Sequence, residues 1–182
     1  MKVGFIGLGN AGGKLAGSLL RNGFDLIVLD LDNSLVNEFI DRGASSSSSP
    51  REMAELCDVV ITCLPSPKAC SEVMESEDGV IAGLKEGKIW LEMSTTDEAE
   101  IRRIGTIVES TGAFPIDCPV SGGCHRADTG NISIFAGCKR EAFDKALPIL
   151  TTMGRRVLHT GDLGTASILK VMTNYLATVN LV

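Results

Sequence analysis

The chain has 182 residues, 44% of them apolar, with a formal net charge of −6 and a mean hydropathy of +0.19. That length fits one domain, or one domain plus a fragment, and the apolar share is enough to build a core. The acidic balance argues against a nucleic-acid or anionic-membrane surface, since both need basic patches, and no run of about 18 apolar residues is present to span a membrane.

In chain order, Lys2–Gly7 (KVGFIG) is a short apolar run expected as a strand, and Gly13–Leu20 reads as a helix ending at Asn22-Gly23. Leu26–Asp30 (LIVLD) is the next strand, and Ser34–Arg42 the next helix, stopped by Gly43. The serine run Ser45–Ser49 is low in complexity and reads as a loop. In Ser49-Pro50-Arg51-Glu52, Ser49 is the expected N-cap, Pro50 the first helical residue and Glu52 the capping-box partner. Val59–Leu64 (VVITCL) is a third strand closed by Pro65-Ser66-Pro67, and Ile89–Glu92 a fourth. Thr95-Thr96-Asp97-Glu98 opens a helix carried to Ser110. Ala113–Asp117, Ile132–Gly137 and Arg156–Thr160 are three further strands, with a helix at Lys139–Met153 and a last one at Ser167–Val182. Continuously apolar strands flanked by helices predict an α/β fold: a doubly wound, mostly parallel sheet buried on both faces.

Six cysteines, at 57, 63, 70, 118, 124 and 138, form no CxxC, and His125 and His159 complete no zinc-ligand spacing. No metal is expected. Free thiols indicate a reducing compartment, and KVGFIGLGNAGG is too glycine-rich for a signal peptide, so the expected location is cytoplasmic.

Gly7-Leu8-Gly9-Asn10-Ala11-Gly12 is G-x-G-x-x-G, a weak pattern alone. Here it follows the first strand and opens the first helix, the context of a Rossmann-like dinucleotide site. Gly7 permits the tight turn, Gly9 leaves a pyrophosphate free to approach the backbone, and Gly12 lets helix and strand pack closely. Free N–H groups at the helix start attract phosphate. Asp30 ends the second strand, 18 residues past Gly12. Its carboxylate suits the ribose hydroxyls and repels a 2′-phosphate, so NAD is favoured over NADP; Asp32 competes for the same role.

Loops after the third and fourth strands should border the same crevice. Leu64 and Pro65 are candidates to line the cofactor, and Ser94 and Thr95 to hydrogen-bond ribose or nicotinamide, whereas Thr96 reads as a turn or capping residue. After the fifth strand, Asp117-Cys118-Pro119-Val120-Ser121-Gly122-Gly123 presents a hydroxyl and unobstructed N–H groups, suited to a small carboxylate or equally to an ordinary loop. In the last helix Lys170 and Asn174 stand four apart, on one face of an apolar stretch. Burial against that stretch would lower the lysine pKa, although a surface lysine that snorkels is the plainer reading of the residue alone.

These stretches together resemble the β-hydroxyacid dehydrogenase family, the group containing 3-hydroxyisobutyrate dehydrogenase and tartronate semialdehyde reductase. GFIGLGNAG resembles its cofactor loop, DCPVSGG its substrate loop, and Lys170 with Asn174 its K-x-x-x-N motif, with LP and STT in matching order. The resemblance implies that Lys170 is the general acid/base. It implies that Ser121, Gly122 and Gly123 bind the substrate carboxylate, that Asn174 helps hold the substrate, that NAD is the cofactor, and that the substrate is a small 3-hydroxy acid or its semialdehyde. It also implies a dinucleotide-binding domain at 1–163, the start of an interdomain helix at 164–182, an all-helical domain absent from this chain, and a homo-oligomer for the complete protein.

Departures from the pattern are Ala11 in place of Met, Gly164-Thr165-Ala166-Ser167 where G-x-G-Q often stands, and Cys124-His125 after the glycine pair. His125 is then either a substrate contact or an exposed loop residue. Two other functions share parts of this reading: a non-catalytic dinucleotide-binding or scaffold module, against which Lys170 and Asn174 argue, and an S-adenosylmethionine-dependent methyltransferase, in which PVSGG and K-x-x-x-N have no place.

Overall fold

The apolar runs pair as one sheet in a computed structural model, which describes residues 1–180. The chain begins β1 (Lys2–Ile6), α1 (Gly12–Arg21), β2 (Asp25–Leu29), α2 (Asn33–Asp41), β3 (Ser45–Ser46), α3 (Pro50–Leu56), β4 (Val59–Thr62), α4 (Pro67–Glu75), α5 (Val80–Gly83), β5 (Ile89–Glu92) and α6 (Glu98–Ser110). It continues β6 (Phe114–Asp117), β7 (Val120–Ser121), α7 (Cys124–Asp128), β8 (Ile132–Gly137), α8 (Arg140–Met153), β9 (Gly154–Gly161) and α9 (Thr165–Val179).

The strand order is β3-β2-β1-β4-β5-β6-β8-β7, with β9 beside β8. All pairings from β3 to β6 are parallel, β8 runs antiparallel to β6 and β7, and β9 is parallel to β8. The order reverses between β1 and β4, which opens a crevice at the carboxyl ends of those strands. One lateral row closes that end of the sheet. Ile6 pairs with Thr62, Thr62 with Glu92, Glu92 with Asp117, and Asp117 with Gly137.

Both faces of the sheet are covered, which is why the strands lack polar alternation. Val59 and Ile61 of β4 and Leu91 of β5 enter one core with Phe5, Leu15 and Ile149. Their neighbours Val60 and Trp90 enter the other, with Met53, Ile101 and Ile104. No helix among the described residues is long and apolar enough to cross a membrane.

Several boundaries differ from expectation. Ser45 and Ser46 pair with β2 as a short edge strand and are not loop, because the serine run starts where the sheet still offers a free edge. Ser49 caps α3 as expected, accepting from Glu52 N at 3.1 Å, but the Glu52 carboxylate turns to Ser48 N (2.6 Å) and Ser48 Oγ (2.7 Å), one residue short of a closed capping box. Ser66-Pro67 repeats the Ser49-Pro50 pattern and starts α4, with Ser66 Oγ accepting from Ala69 N at 3.2 Å. In the sequence that segment reads only as a strand ending. β7, α5 and α7 are too short to show a period, and none of the three is expected from the sequence. α9 starts at Thr165, two residues before the expected Ser167; of the expected helix, Leu181 and Val182 lie outside the described residues.

Candidate active site

The glycine loop closes tightly under the start of α1. Gly7 has φ +95°, a left-handed conformation that favours glycine. A Cβ on Gly12 would collide with the Gly7 carbonyl oxygen and lie 3.3 Å from the Phe5 ring, so this position is where helix and strand touch. A Cβ on Gly9 would meet nothing within 4 Å. Gly9 therefore faces open space, and its missing side chain is not a packing requirement. Ala11 at the N-cap supplies no side-chain acceptor and the first turn holds no acidic residue, so no side chain competes with an anion at the helix start, although Gly13 N–H already donates to the Gly9 carbonyl at 2.9 Å.

Leu8 is buried beneath the loop. Its N–H donates to Asp30 Oδ2 at 2.6 Å, and Asp32 N donates to Asp30 Oδ1 at 2.9 Å. Asp30 is thus half-buried and fixed toward the loop. Asp32, its sequence competitor, caps α2, its Oδ1 accepting from both Ser34 N and Ser34 Oγ.

A cavity of about 870 Å³ opens over these residues. Gly7, Gly9, Asn10, Ala11, Gly12, Asp30, Leu64 and Pro65 all line it, joined by Cys63 at the end of β4 and by Glu72 of α4, which no sequence signal singles out. No lysine or arginine is among its lining residues. The cradle fits a dinucleotide: a gap at Gly9 for the pyrophosphate, a helix N-terminus without a side-chain cap, apolar walls at Leu29, Leu64 and Val73, and a carboxylate at the end of β2.

The loops after β4 and β5 are tied together by a buried polar network. Leu64 N donates to Ser94 Oγ at 2.7 Å, and Ser94 N donates to Glu92 Oε1 at 2.7 Å. Glu92 Oε2 accepts from Thr62 Oγ1 (2.6 Å) and Cys70 Sγ (2.9 Å), while Trp90 Nε1 donates to Thr62 Oγ1 at 2.8 Å. Burial pushes the Glu92 carboxyl above its usual range, against the pull of those donors. Ser94 is 3% exposed. The expectation that it reaches a ligand is corrected: its hydroxyl holds the Leu64 backbone. Thr95 is exposed and lies outside the cavity lining, and Thr96 is buried.

The remaining candidates lie at β6, β7 and α9. Ser121 is half-buried at the end of β7, and Gly122 and Gly123 are exposed with φ +128° and +80°. His125 is exposed. Arg126, unmarked by any sequence motif, lays its side chain over Gly122: a Cβ there would meet Arg126 Cδ at 3.1 Å. Lys170 is half-buried, and desolvation alone holds its ammonium below the usual lysine range. Asn174, four residues on, is exposed. At the root of that helix, Asp117 accepts from Ser167 N at 2.7 Å and Ser167 Oγ at 2.8 Å. Burial lifts the Asp117 carboxyl to about 6. Neither Asp117 nor Glu92 is marked as a site residue by the sequence motifs; the available signal is an acid at the carboxyl end of an otherwise apolar strand, twice.

Comparison with known proteins agrees with this geometry. The family described as the NAD binding domain of 6-phosphogluconate dehydrogenase matches residues 2–161. The 3-hydroxyisobutyrate dehydrogenase of Mus musculus, a mitochondrial protein, is 36% identical over 180 residues, covering 99% of this chain and 54% of that protein. The NAD-dependent L-serine dehydrogenase of Pseudomonas aeruginosa is 35% identical over 178 residues, covering 98% of this chain and 60% of the relative. A solved structure of Mycobacterium tuberculosis 3-hydroxyisobutyrate dehydrogenase with L-serine superposes with a TM-score of 0.92 at 26% identity, over 98% of this chain and 60% of that one. The chain spans little more than half the length of the curated relatives it matches. It belongs to this NAD-binding domain family, and within it to the β-hydroxyacid dehydrogenase group that its glycine loop, its DCPVSGG stretch and its K-x-x-x-N helix resemble.

Proposed function

We propose that the protein is an NAD-dependent oxidoreductase acting on a small 3-hydroxy acid or its semialdehyde. The observation that carries this reading is Lys170: a half-buried amine held below its usual pKa by desolvation, on the helix rooted at the carboxyl end of β6, where the Ser121-Gly122-Gly123 loop also begins.

Bound NAD supplies the hydride acceptor, or in the reduced form the donor. The chain's own residues do the rest. Gly9 and the N–H groups at the start of α1 receive the pyrophosphate, Asp30 accepts from the ribose hydroxyls, and Leu64 and Pro65 border the nicotinamide end, which Thr95, outside the cavity lining, approaches from the loop after β5. Ser121 Oγ and the N–H groups of Gly122 and Gly123 hold the substrate carboxylate, and Asn174 orients the reacting oxygen. Lys170 as a free amine takes the alcohol proton in oxidation, and as ammonium returns one to the carbonyl oxygen in reduction. Desolvation holds its ammonium below the usual lysine range, so it gives up its proton more readily than a solvated lysine, as a base in the oxidation direction requires.

On this reading, residues 1–163 form the dinucleotide domain and 164–182 begin a helix leading to the rest of the active site. The complete protein is a cytoplasmic homo-oligomer; free thiols at all six cysteines support the compartment. The test is an activity panel of small 3-hydroxy acids and semialdehydes with NAD(H), run on the complete protein. Turnover of at least one member is expected, and inertness toward all of them, with NAD bound, overturns the proposal.

A further inference from the structure

α9 starts without a cap of its own. Its N-cap is Gly164, at φ +89°, which has no side chain to accept a hydrogen bond, and its first turn contains no acidic residue. The third helical residue, Ser167, is where an N-cap side chain would normally bond. Asp117 fills that role from β6, fifty positions earlier in the chain. One carboxylate oxygen takes the Ser167 N–H and the other its hydroxyl, at 2.7 and 2.8 Å, and Asp117 itself is fully buried. Two bonds to one residue fix both the rotation and the advance of the first turn, and a carboxylate at a helix N-terminus is also favoured by the helix dipole.

Little else holds the helix further along. Its start packs against β8, where a Cβ on Gly137 would meet Thr165 Oγ1 at 3.0 Å and Ala166 N at 3.1 Å. From there outward the side chains open to solvent: Ile168 is 48% exposed, Val171 57% and Tyr175 69%. Lys170 stands three residues after Ser167 and Asn174 seven after it, on the same helical stripe. The place of Lys170 is therefore decided by the first turn. Asp117 also stands four residues before Ser121, so the same residue roots both the helix and the Ser-Gly-Gly loop.

We propose that Asp117 is a positioning residue, whose paired hydrogen bonds to Ser167 set the place and desolvation of Lys170 relative to the Ser121-Gly122-Gly123 loop. This rests on the reading of Lys170 as the acid/base, but its test does not depend on turnover.

The experiment uses this chain with its lysines ¹³C-dimethylated and titrated by NMR, the Lys170 resonance being assigned through Lys170→Arg. In Asp117→Ala the Lys170 pKa should rise by at least about half a unit toward the ordinary lysine value as the released turn hydrates the amine, and amide exchange across 168–174 should quicken. Asp117→Asn keeps a side-chain acceptor for the Ser167 N–H, and its Lys170 should stay near the unmodified protein's. Ser167→Ala, which loses only the hydroxyl bond, should shift Lys170 in the same direction by less, and it decides the matter if Asp117→Ala does not fold. NAD affinity by calorimetry should be unchanged in all three. An unmoved Lys170 pKa in the folded variants reduces Asp117 to a stabilising cap and overturns the proposal. So does a lowered pKa in both Asp117 variants, which would mean a direct charge effect. Retained turnover in Lys170→Ala would instead remove the reading of Lys170 and leave the clamp standing.

Discussion

Leu8 donates its backbone N–H to Asp30 Oδ2 across 2.6 Å, joining the glycine loop to the end of β2. The carboxylate that faces the nucleotide cavity is therefore also a strut of the loop that would hold the pyrophosphate. Asp30→Arg should reverse cofactor preference toward NADP, because a cation replaces an anion beside the ribose, and it should also weaken binding of both cofactors by releasing Leu8. Calorimetry with NAD and NADP on the variant and its parent checks this. Equal affinities for the two cofactors in the parent would remove Asp30 as the discriminator.

Gly9 and Gly12 separate binding from packing. A Cβ on Gly9 meets nothing within 4 Å, so Gly9→Ala should leave stability within about 0.5 kcal/mol of the parent while weakening NAD at least ~10-fold by filling the pyrophosphate approach. Gly12→Ala drives a Cβ into the Gly7 carbonyl and against Phe5, and should cost about 1–3 kcal/mol. Thermal denaturation read beside NAD titration distinguishes the two, and similar losses of stability at both positions would contradict this division of roles.

Ser94→Ala removes the acceptor for Leu64 N, leaving a backbone donor unpaired beside the cavity. The expected loss is about 1–3 kcal/mol of stability, with weaker NAD binding as the Leu64-Pro65 wall loosens. A variant as stable as the parent would mean that water takes over the bond.

In the complete protein, Lys170→Ala should lower turnover by at least ~10²-fold, the usual scale for a general acid/base, with NAD affinity nearly unchanged. Steady-state kinetics beside calorimetry gives both numbers. The present chain should bind NAD but turn over slowly, since Lys170 and Asn174 lie on a helix face that is otherwise open to solvent.

Asp117 should leave a mark on stability against pH. Its folded-state pKa of about 6 lies above the ordinary 3.8, so the folded state holds the proton more tightly than the unfolded chain. Its contribution to stability is then greatest below about pH 4, declines as pH rises toward 6 and is level above that, a span of roughly 3 kcal/mol. Asp117→Asn should flatten this segment of the curve. Urea midpoints from pH 4 to 7 for both proteins test the sign, and parallel curves would contradict it.

Much of this site is legible in the sequence because its signals are local. The glycine loop, its flanking strand and helix, and Asp30 fall within the first thirty residues, where periodicity and turn chemistry act at short range. The direction of the lysine's pKa shift is the one its apolar stretch suggests, although the burial that causes it depends on where the helix docks. Ser94 misleads because its partner, Leu64, lies thirty residues away. A hydroxyl in a loop looks the same in sequence whether it faces a ligand or a backbone amide.

The sequence by itself determined the doubly wound sheet and the glycine loop and acidic residue that mark the nucleotide crevice, since each depends on hydrophobic pattern and glycine freedom at short range. Only the tertiary structure decided what Glu92 and Asp117 do. Parallel pairing sets Thr62, Glu92 and Asp117 side by side at one end of the sheet, and burial there forces each carboxylate to find donors on another element. Such pairings depend on register between distant strands, and no short-range rule carries that information.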